Sequence, residues 1–250
     1  MKTTSQIVTW FVLLVMIFAF RPALVTSRQI QADPERNSSV AVQTAQTMKW
    51  KFGGNDAGSS SYETHADGIF ESSTELNIAG VKLKSRLTGK LVDGVLTEFE
   101  LVNQQAGTEV TVAAKDGKAR FKAGAVTRDV TYKPSKILFA NLHPILTATW
   151  SKVLDPEKEG AQKVDVFILD AAATLPVEVL KKKARTVEAE GKKQVANVYL
   201  ARLANVEFDV YLAQGSDFAA LDIPSQKLQA IRSGYESFLV AIYWRPPQRL

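Results

Sequence analysis

From Met48 onward the chain alternates apolar and polar residues in short runs. Val81-Lys82-Leu83-Lys84-Ser85-Arg86-Leu87 puts apolar or small side chains on one face and basic ones on the other, the period-two pattern of a half-buried strand. Trp50 and Phe52 alternate with lysines, and strand-like runs follow at 69–73, 95–102, 126–133, 164–169, 177–183, 186–190, 194–203, 206–212, 218–223 and 227–231. Turn residues punctuate them at Gly53-Gly54, Asp93-Gly94, Asp116-Gly117, Glu190-Gly191, Ala204-Asn205 and 214–217. This spacing predicts a meander of neighbouring antiparallel strands. One segment departs from it: Leu142, Ile145, Leu146, Thr149, Trp150 and Val153 recur at helical spacing, with Asn141 placed to cap and Pro144 in the first turn. The expected fold class is mainly β, a single curved antiparallel sheet (half-barrel or β-roll meander) with one amphipathic helix, 141–153, packed against its concave side.

The pattern also predicts register. A two-residue Asp93-Gly94 loop would set Arg86 against Leu101 and Thr88 against Phe99. A three-residue loop, Val92-Asp93-Gly94, instead pairs Leu87 with Phe99, Leu91 with Val95 and Arg86 with Glu100, so the longer loop is expected. In the next hairpin a two-residue Asp116-Gly117 turn already matches Val112 with Phe121 and Ala114 with Ala119.

The N-terminus changes the picture. Lys2 precedes an apolar run, 7–20, interrupted only by Thr9 and ended by Arg21-Pro22, and Val25-Thr26-Ser27 follows. This is the charged, apolar, small-residue order of a secretory signal, and the run is short of the roughly 20 residues of a spanning helix. Cleavage is expected near Ser27, giving a periplasmic or extracellular protein, with an uncleaved N-terminal membrane anchor as the alternative. The domain plan is then 1–27 signal peptide, 28–47 flexible linker, 48–240 β domain and 241–250 tail. Asn37-Ser38-Ser39 in the linker is formally a sequon.

The formal charge of +5 falls to +3 when Lys2 and Arg21 leave with the signal. The remaining basic residues are interleaved with acidic ones, which speaks against nucleic acid as a partner. With no cysteine, disulfides and thiolate metal sites are excluded and no cysteine is there to carry a lipid anchor, and a bacterial export route fits better than a disulfide-stapled eukaryotic one.

Chemistry is sparse. The two histidines, His65 and His143, share no metal-ligand spacing and are expected to be structural or solvent-facing. No nucleophile elbow, zinc-hydrolase motif or phosphate loop is present. The Gly- and Ser-containing stretch 55–61 reads as a loop, and the carboxylates of Asp155, Glu157 and Glu159 as a solvated one without the calcium-loop pattern. Lys181, Lys182, Lys183, Arg185, Lys192 and Lys193 form the densest basic group, either a solubilising sheet edge or a patch for an anionic lipid or glycan. No catalytic residue, metal ligand or cofactor is expected.

The stretches Ile168-Leu169-Asp170, Thr174-Leu175-Pro176-Val177-Glu178-Val179, Leu221-Asp222-Ile223-Pro224-Ser225-Gln226-Lys227 and Arg232-Ser233-Gly234-Tyr235-Glu236 resemble a β-rich domain of exported bacterial proteins, which in some cases precedes an α/β-hydrolase module. More distantly, the chain is similar to the open β half-barrels of lipoprotein carriers such as LolA. Only fourteen residues follow Glu236, so the resemblance implies an accessory domain and transfers no catalytic residue.

These expectations converge on a non-catalytic exported β domain. An apolar groove between sheet and helix would suit a lipid or other hydrophobic small molecule, with Leu87, Phe99, Leu146 and Trp150 as candidate lining, ordinary core packing being the plainer reading of each. The alternative is an interaction module docking another exported protein or envelope component through the apolar run 238–244. A hydrolase with an unrecognised site is a third reading.

Overall fold

The computed structural model describes residues 42–237, apart from 136, 156, 159, 190 and 214–216. The signal segment, the linker to residue 41, the sequon, the run 238–244 and the tail lie outside the described residues.

The chain first builds eight strands, β1 (Val42–Phe52), β2 (Asn55–His65), β3 (Ile69–Ile78), β4 (Val81–Val92), β5 (Val95–Gln105), β6 (Thr108–Lys115), β7 (Lys118–Ala123) and β8 (Val126–Thr131). The short β9 (Leu138–Phe139) and a 3₁₀ segment (Pro144–Lys152) follow. Six strands return: β10 (Ala161–Ile168), β11 (Ala173–Ala189), β12 (Lys192–Leu203), β13 (Val206–Leu212), β14 (Phe218–Ile223) and β15 (Leu228–Arg232). All belong to one sheet, ordered β8 through β1, then β15 back through β9. Two meanders are thus joined where β1 pairs antiparallel with β15. Every pairing is antiparallel except β9 with β10. The mainly-β, curved single-sheet expectation holds.

Local differences have physical causes. The end of the expected linker overlaps a strand, because 42–47 already belongs to β1 and pairs with β2. The serine-rich 55–61 is strand rather than loop, since it lies between β1 and β3 and its hydroxyls bond across strands, Ser60 to Thr74 and Ser61 to Ser73. The run 177–183 and the described part of the next, 186–189, are one strand, β11, with an irregularity between Lys182 and Arg185. It is flanked by β10 and β12, so the lysine cluster does not lie on a sheet edge.

The first hairpin corrects the loop expectation. Val92 pairs with Val95 across a two-residue turn in which Asp93 and Gly94 both have positive φ, 53° and 75°, as a type I′ turn requires. A register shift beyond Lys90 then sets Leu87 against Leu101 and Gly89 against Phe99. The bulge moves the register by one residue and keeps Leu87, Phe99 and Leu101 on the same face, so the expected faces survive while the partners move along by two. The Asp116-Gly117 hairpin has the expected pairs, Val112 with Phe121 and Ala114 with Ala119.

The predicted helix forms over Pro144–Lys152 as 3₁₀ turns, without a side-chain cap. Thr147, Thr149 and Ser151 each donate a hydroxyl to the carbonyl three residues back, which favours the tighter winding. Pro144, Ile145, Leu146, Thr147 and Trp150 are all buried. Ala148, Thr149 and Ser151 are half-buried and Lys152 is exposed, so the segment packs one side against the sheet as expected.

The sheet curls until its far ends meet without closing. Leu96 of β5 bridges to Ser135, Arg128 of the edge strand β8 donates to the Ala171 carbonyl at 2.8 Å, and the rings of Phe99, Tyr132 and Phe167 pack edge to face. Charged side chains pair on the outside, among them Lys84 with Glu75 and Arg202 with Glu178 and Glu207. Such exposed pairs contribute at most about 1 kcal/mol each.

Gly89 marks a close approach inside. A Cβ there would lie 2.5 Å from Phe70 Cε1 and 3.1 Å from Leu96 Cδ1. Gly89→Ala is expected to cost roughly 1–3 kcal/mol by overpacking. In a double-mutant cycle on urea midpoints, Phe70→Leu should recover part of that loss; additive effects would refute the contact as the cause.

Candidate functional site

The chemistry-bearing residues gather where the first meander meets the segment before the 3₁₀ turns. On the inward face, register aligns one polar row across four strands: Ser60 opposite Thr74, Thr74 opposite Ser85, Ser85 opposite Asn103. Apolar neighbours flank it, Leu83 and Leu87 on β4 and Phe70 and Leu76 on β3. Ser72, one inward position along β3 from Thr74, completes the row. Buried hydroxyls need partners, and these find the backbone and side chains of 140–143.

Trp50 Nε1 donates to Ser60 Oγ at 2.7 Å, Ser60 and Thr74 share a 2.6 Å bond, and Thr74 Oγ1 donates to the Leu142 carbonyl at 2.6 Å. The imidazole of His143 lies between two serines, Nδ1 at 2.8 Å from Ser72 Oγ and Nε2 at 2.7 Å from Ser85 Oγ. Ser85 Oγ is hydrogen-bonded to the side-chain amide of Asn103. The Asn103 amide stands 3.0 Å from Asp170 Oδ1, and Asp170 Oδ2 accepts the Asn141 N–H at 2.8 Å. Asp170 sits in a single 3₁₀ turn, Leu169–Ala171, after β10. Both meanders therefore contribute to the seam.

His143 is 0 % exposed, Ser72 2 % and Ser85 4 %. Burial lowers the His143 pKa from 6.5 to about 3. Burial raises that of Asp170, opposed by hydrogen bonds from the Asn141 backbone and the Asn103 side chain. Serine, histidine and aspartate here do not form a hydrolytic arrangement: Ser85 and Asn103 separate His143 from Asp170, and the two serines are sealed from solvent. The arrangement fixes the segment 140–152 inside the sheet. Among the described residues no group of three or more His, Cys, Asp or Glu side chains is placed to hold a metal ion.

The four expected lining residues are brought together, but as packed core. Leu87 is 0 %, Trp150 1 %, Leu146 2 % and Phe99 4 % exposed, all in one apolar cluster. Trp150 donates Nε1 to the Leu138 carbonyl at 2.8 Å and packs against Phe139 and Phe208. His65 ends β2, away from this seam. The lysine cluster is divided between functions: Lys182 reaches the buried Asp209 at 2.6 Å, and the Arg185 guanidinium lies 5.9 Å from the Tyr211 ring centroid. Sequence reasoning gave His143 a structural or solvent role and missed its partners. The signal was polar residues at inward positions of strongly alternating strands, Ser72 and Thr74 between Phe70 and Leu76, and Ser85 between Leu83 and Leu87.

No family model matches the chain, and no curated protein matches it either. Solved structures of similar shape include a β-barrel-like protein of domain of unknown function DUF1849 from Brucella abortus, 14 % identical over 75 % of this chain and 93 % of that one, TM-score 0.45. Another is a DUF1089 family protein from Pseudomonas aeruginosa, 11 % identical over 83 % of this chain and 95 % of that one, TM-score 0.39. Neither of these two is described as a lipoprotein carrier or a hydrolase-linked domain. By its own sheet the chain is a β-rich domain.

Proposed function

We propose that this chain is an exported, non-catalytic β domain that works through its outer surface, docking another exported protein or an envelope component. The observation that carries this reading is the filled concave face. A carrier needs a continuous apolar cavity, whereas the side chains that would line one here, Leu87, Phe99, Leu146 and Trp150, are 0–4 % exposed and packed together. The hydrogen-bonded seam beneath Leu142 and His143 holds the 3₁₀ segment in that space. Export rests on the charged, apolar, small-residue order of residues 1–27.

Native mass spectrometry of the full chain, isolated gently from an exporting bacterial host, tests it. The expected result is a lipid-free chain, alone or with a stoichiometric protein, that stays lipid-free after incubation with membrane extract. A bound mass removed by organic solvent would overturn the reading in favour of a hydrophobic-ligand carrier.

A further inference from the structure

The seam can be counted hydrogen by hydrogen. Ser72 has one hydroxyl hydrogen, donated to the Ser61 carbonyl at 2.9 Å. Its oxygen then only accepts at the 2.8 Å contact with His143 Nδ1, so Nδ1 carries a hydrogen. Two hydrogen patterns remain between Nε2 and Asp170. In the first, Nε2 is also protonated, Ser85 donates to the amide oxygen of Asn103, and the amide nitrogen donates to a carboxylate. His143 is then an imidazolium and Asp170 an anion. In the second, Ser85 donates to Nε2, the amide nitrogen donates to Ser85, and the amide oxygen accepts from a protonated Asp170. Both patterns hold the same number of protons on one set of heavy-atom positions, with the amide oxygen and nitrogen exchanged and one proton moved from Nε2 to Asp170. Removing that proton altogether leaves one contact without its hydrogen, either at Ser72 (Nδ1 or the Ser61 carbonyl) or on one side of the Asn103 amide.

We propose that Asp170 is protonated in the folded protein at neutral pH, and that the seam is an uncharged chain running Asp170–Asn103–Ser85–His143–Ser72. An imidazolium at His143 would sit in a place with no exposed surface, and its counter-ion would lie two side chains away, where attraction no longer offsets lost hydration. The charge nearest to Asp170 in this fold is Arg128, whose guanidinium donates to the Ala171 carbonyl at 2.8 Å; none is placed beside His143. On the packed strands Glu63, Glu71, Glu75, Lys82, Lys84, Arg86 and Glu100 occupy the exposed, outward positions, Lys90 and Glu98 share the outward parity of Arg86 and Glu100, and Lys152 closes the far end of the 3₁₀ segment. Asp170 and Asn103 are half-buried, so the proton exchanges with solvent from that end while the His143 end stays sealed. Burial acts in the same sense on both groups, raising Asp170 and lowering His143. The inference is independent of the docking function proposed above.

Asp170→Asn in the full chain is the first test. An amide supplies an N–H where the protonated acid has its O–H, and its oxygen can accept the Asn141 N–H. The thermal midpoint at pH 7 should stay within about 3 °C of the parent, or rise. Its difference from the parent should move further in the variant's favour above neutral pH. A drop of about 8 °C or more at pH 7, in a variant that still folds, would show that an anion is required and overturn the proposal. Nitrogen-15 spectra of the parent's imidazoles read the same question without a variant at the seam, with His65→Gln assigning the two signals. Protonation of Nδ1 alone is expected. Protonation of both nitrogens would establish the ion pair, and protonation of Nε2 alone would establish an ionised Asp170 with neutral His143; either refutes it.

Discussion

Trp150→Ala is expected to lower the stability of the domain by roughly 3–5 kcal/mol, with urea denaturation as the measurement. The indole is 1 % exposed and lies among Phe139, Phe208 and the 3₁₀ segment's own residues. Its loss removes a large apolar surface from the core and leaves the Leu138 carbonyl without its 2.8 Å donor. The sheet closes around the segment from several strands, so it has little freedom to collapse into the space, and incomplete collapse is what makes such cavities costly. Val195→Ala, at a side chain 50 % exposed, is the comparison and should stay within about 0.5 kcal/mol. A Trp150→Ala loss below about 1 kcal/mol would mean that the segment is only loosely seated. The filled concave face, and the docking reading built on it, would then fail together.

Acidification supplies the other large effect. The folded His143 titrates near 3 against an ordinary 6.5, because its imidazole is sealed from water. The unfolded chain therefore takes up this proton first. The stabilising contribution is whole above about pH 6.5 and is lost progressively as the pH falls towards 3. At about 1.4 kcal/mol per unit, the full interval is worth roughly 4–5 kcal/mol, a large share of the total stability of a domain. Asp170 acts with the opposite sign. Its folded value is raised, so its contribution is present in acid and fades as the pH rises through that value, and together the two groups produce a maximum between the limbs.

Urea midpoints from pH 3.5 to 8 should show a steep acid limb in the parent and a shallower one in His143→Gln. That variant should lose about 1–3 kcal/mol at neutral pH, because Ser72 and Ser85 keep only part of their hydrogen bonding. Outer pairs such as Arg120–Asp129, where the arginine lowers the carboxylate's pKa, add the same acid dependence to both proteins and drop out of the comparison. Equal acid slopes in the two would show that His143 is not the titrating group.

Both effects arise at places that the sequence reveals unevenly. Strand alternation made the antiparallel sheet legible, because a half-buried strand exposes one face to water and its sequence must repeat every two residues. The Asp116-Gly117 register was legible too, since the apolar pairs match only one way. At Asp93-Gly94 the apolar pattern identified the inward face but not the loop, because a bulge and a longer loop shift register with the same parity. The helical spacing around Trp150 located the enclosed segment. Its 3₁₀ winding came from proline and from hydroxyls competing for nearby carbonyls, which spacing does not record.

What the sequence by itself determined, then, is a β-rich chain with one non-strand insert and no recognisable catalytic motif. It also marked polar residues at inward positions, Ser72, Thr74 and Ser85, without saying what they face. Tertiary structure alone decided that those positions meet Leu142 and His143, and that Asn103 joins them to Asp170, 67 residues further along the chain. It decided equally that Leu87, Phe99, Leu146 and Trp150 fill the concavity. The physical reason is the same in each case. Alternation is a local property that water imposes on every strand separately, whereas the partner of a buried polar group, and the volume left between facing side chains, are set by how far the sheet curls and which segment it encloses.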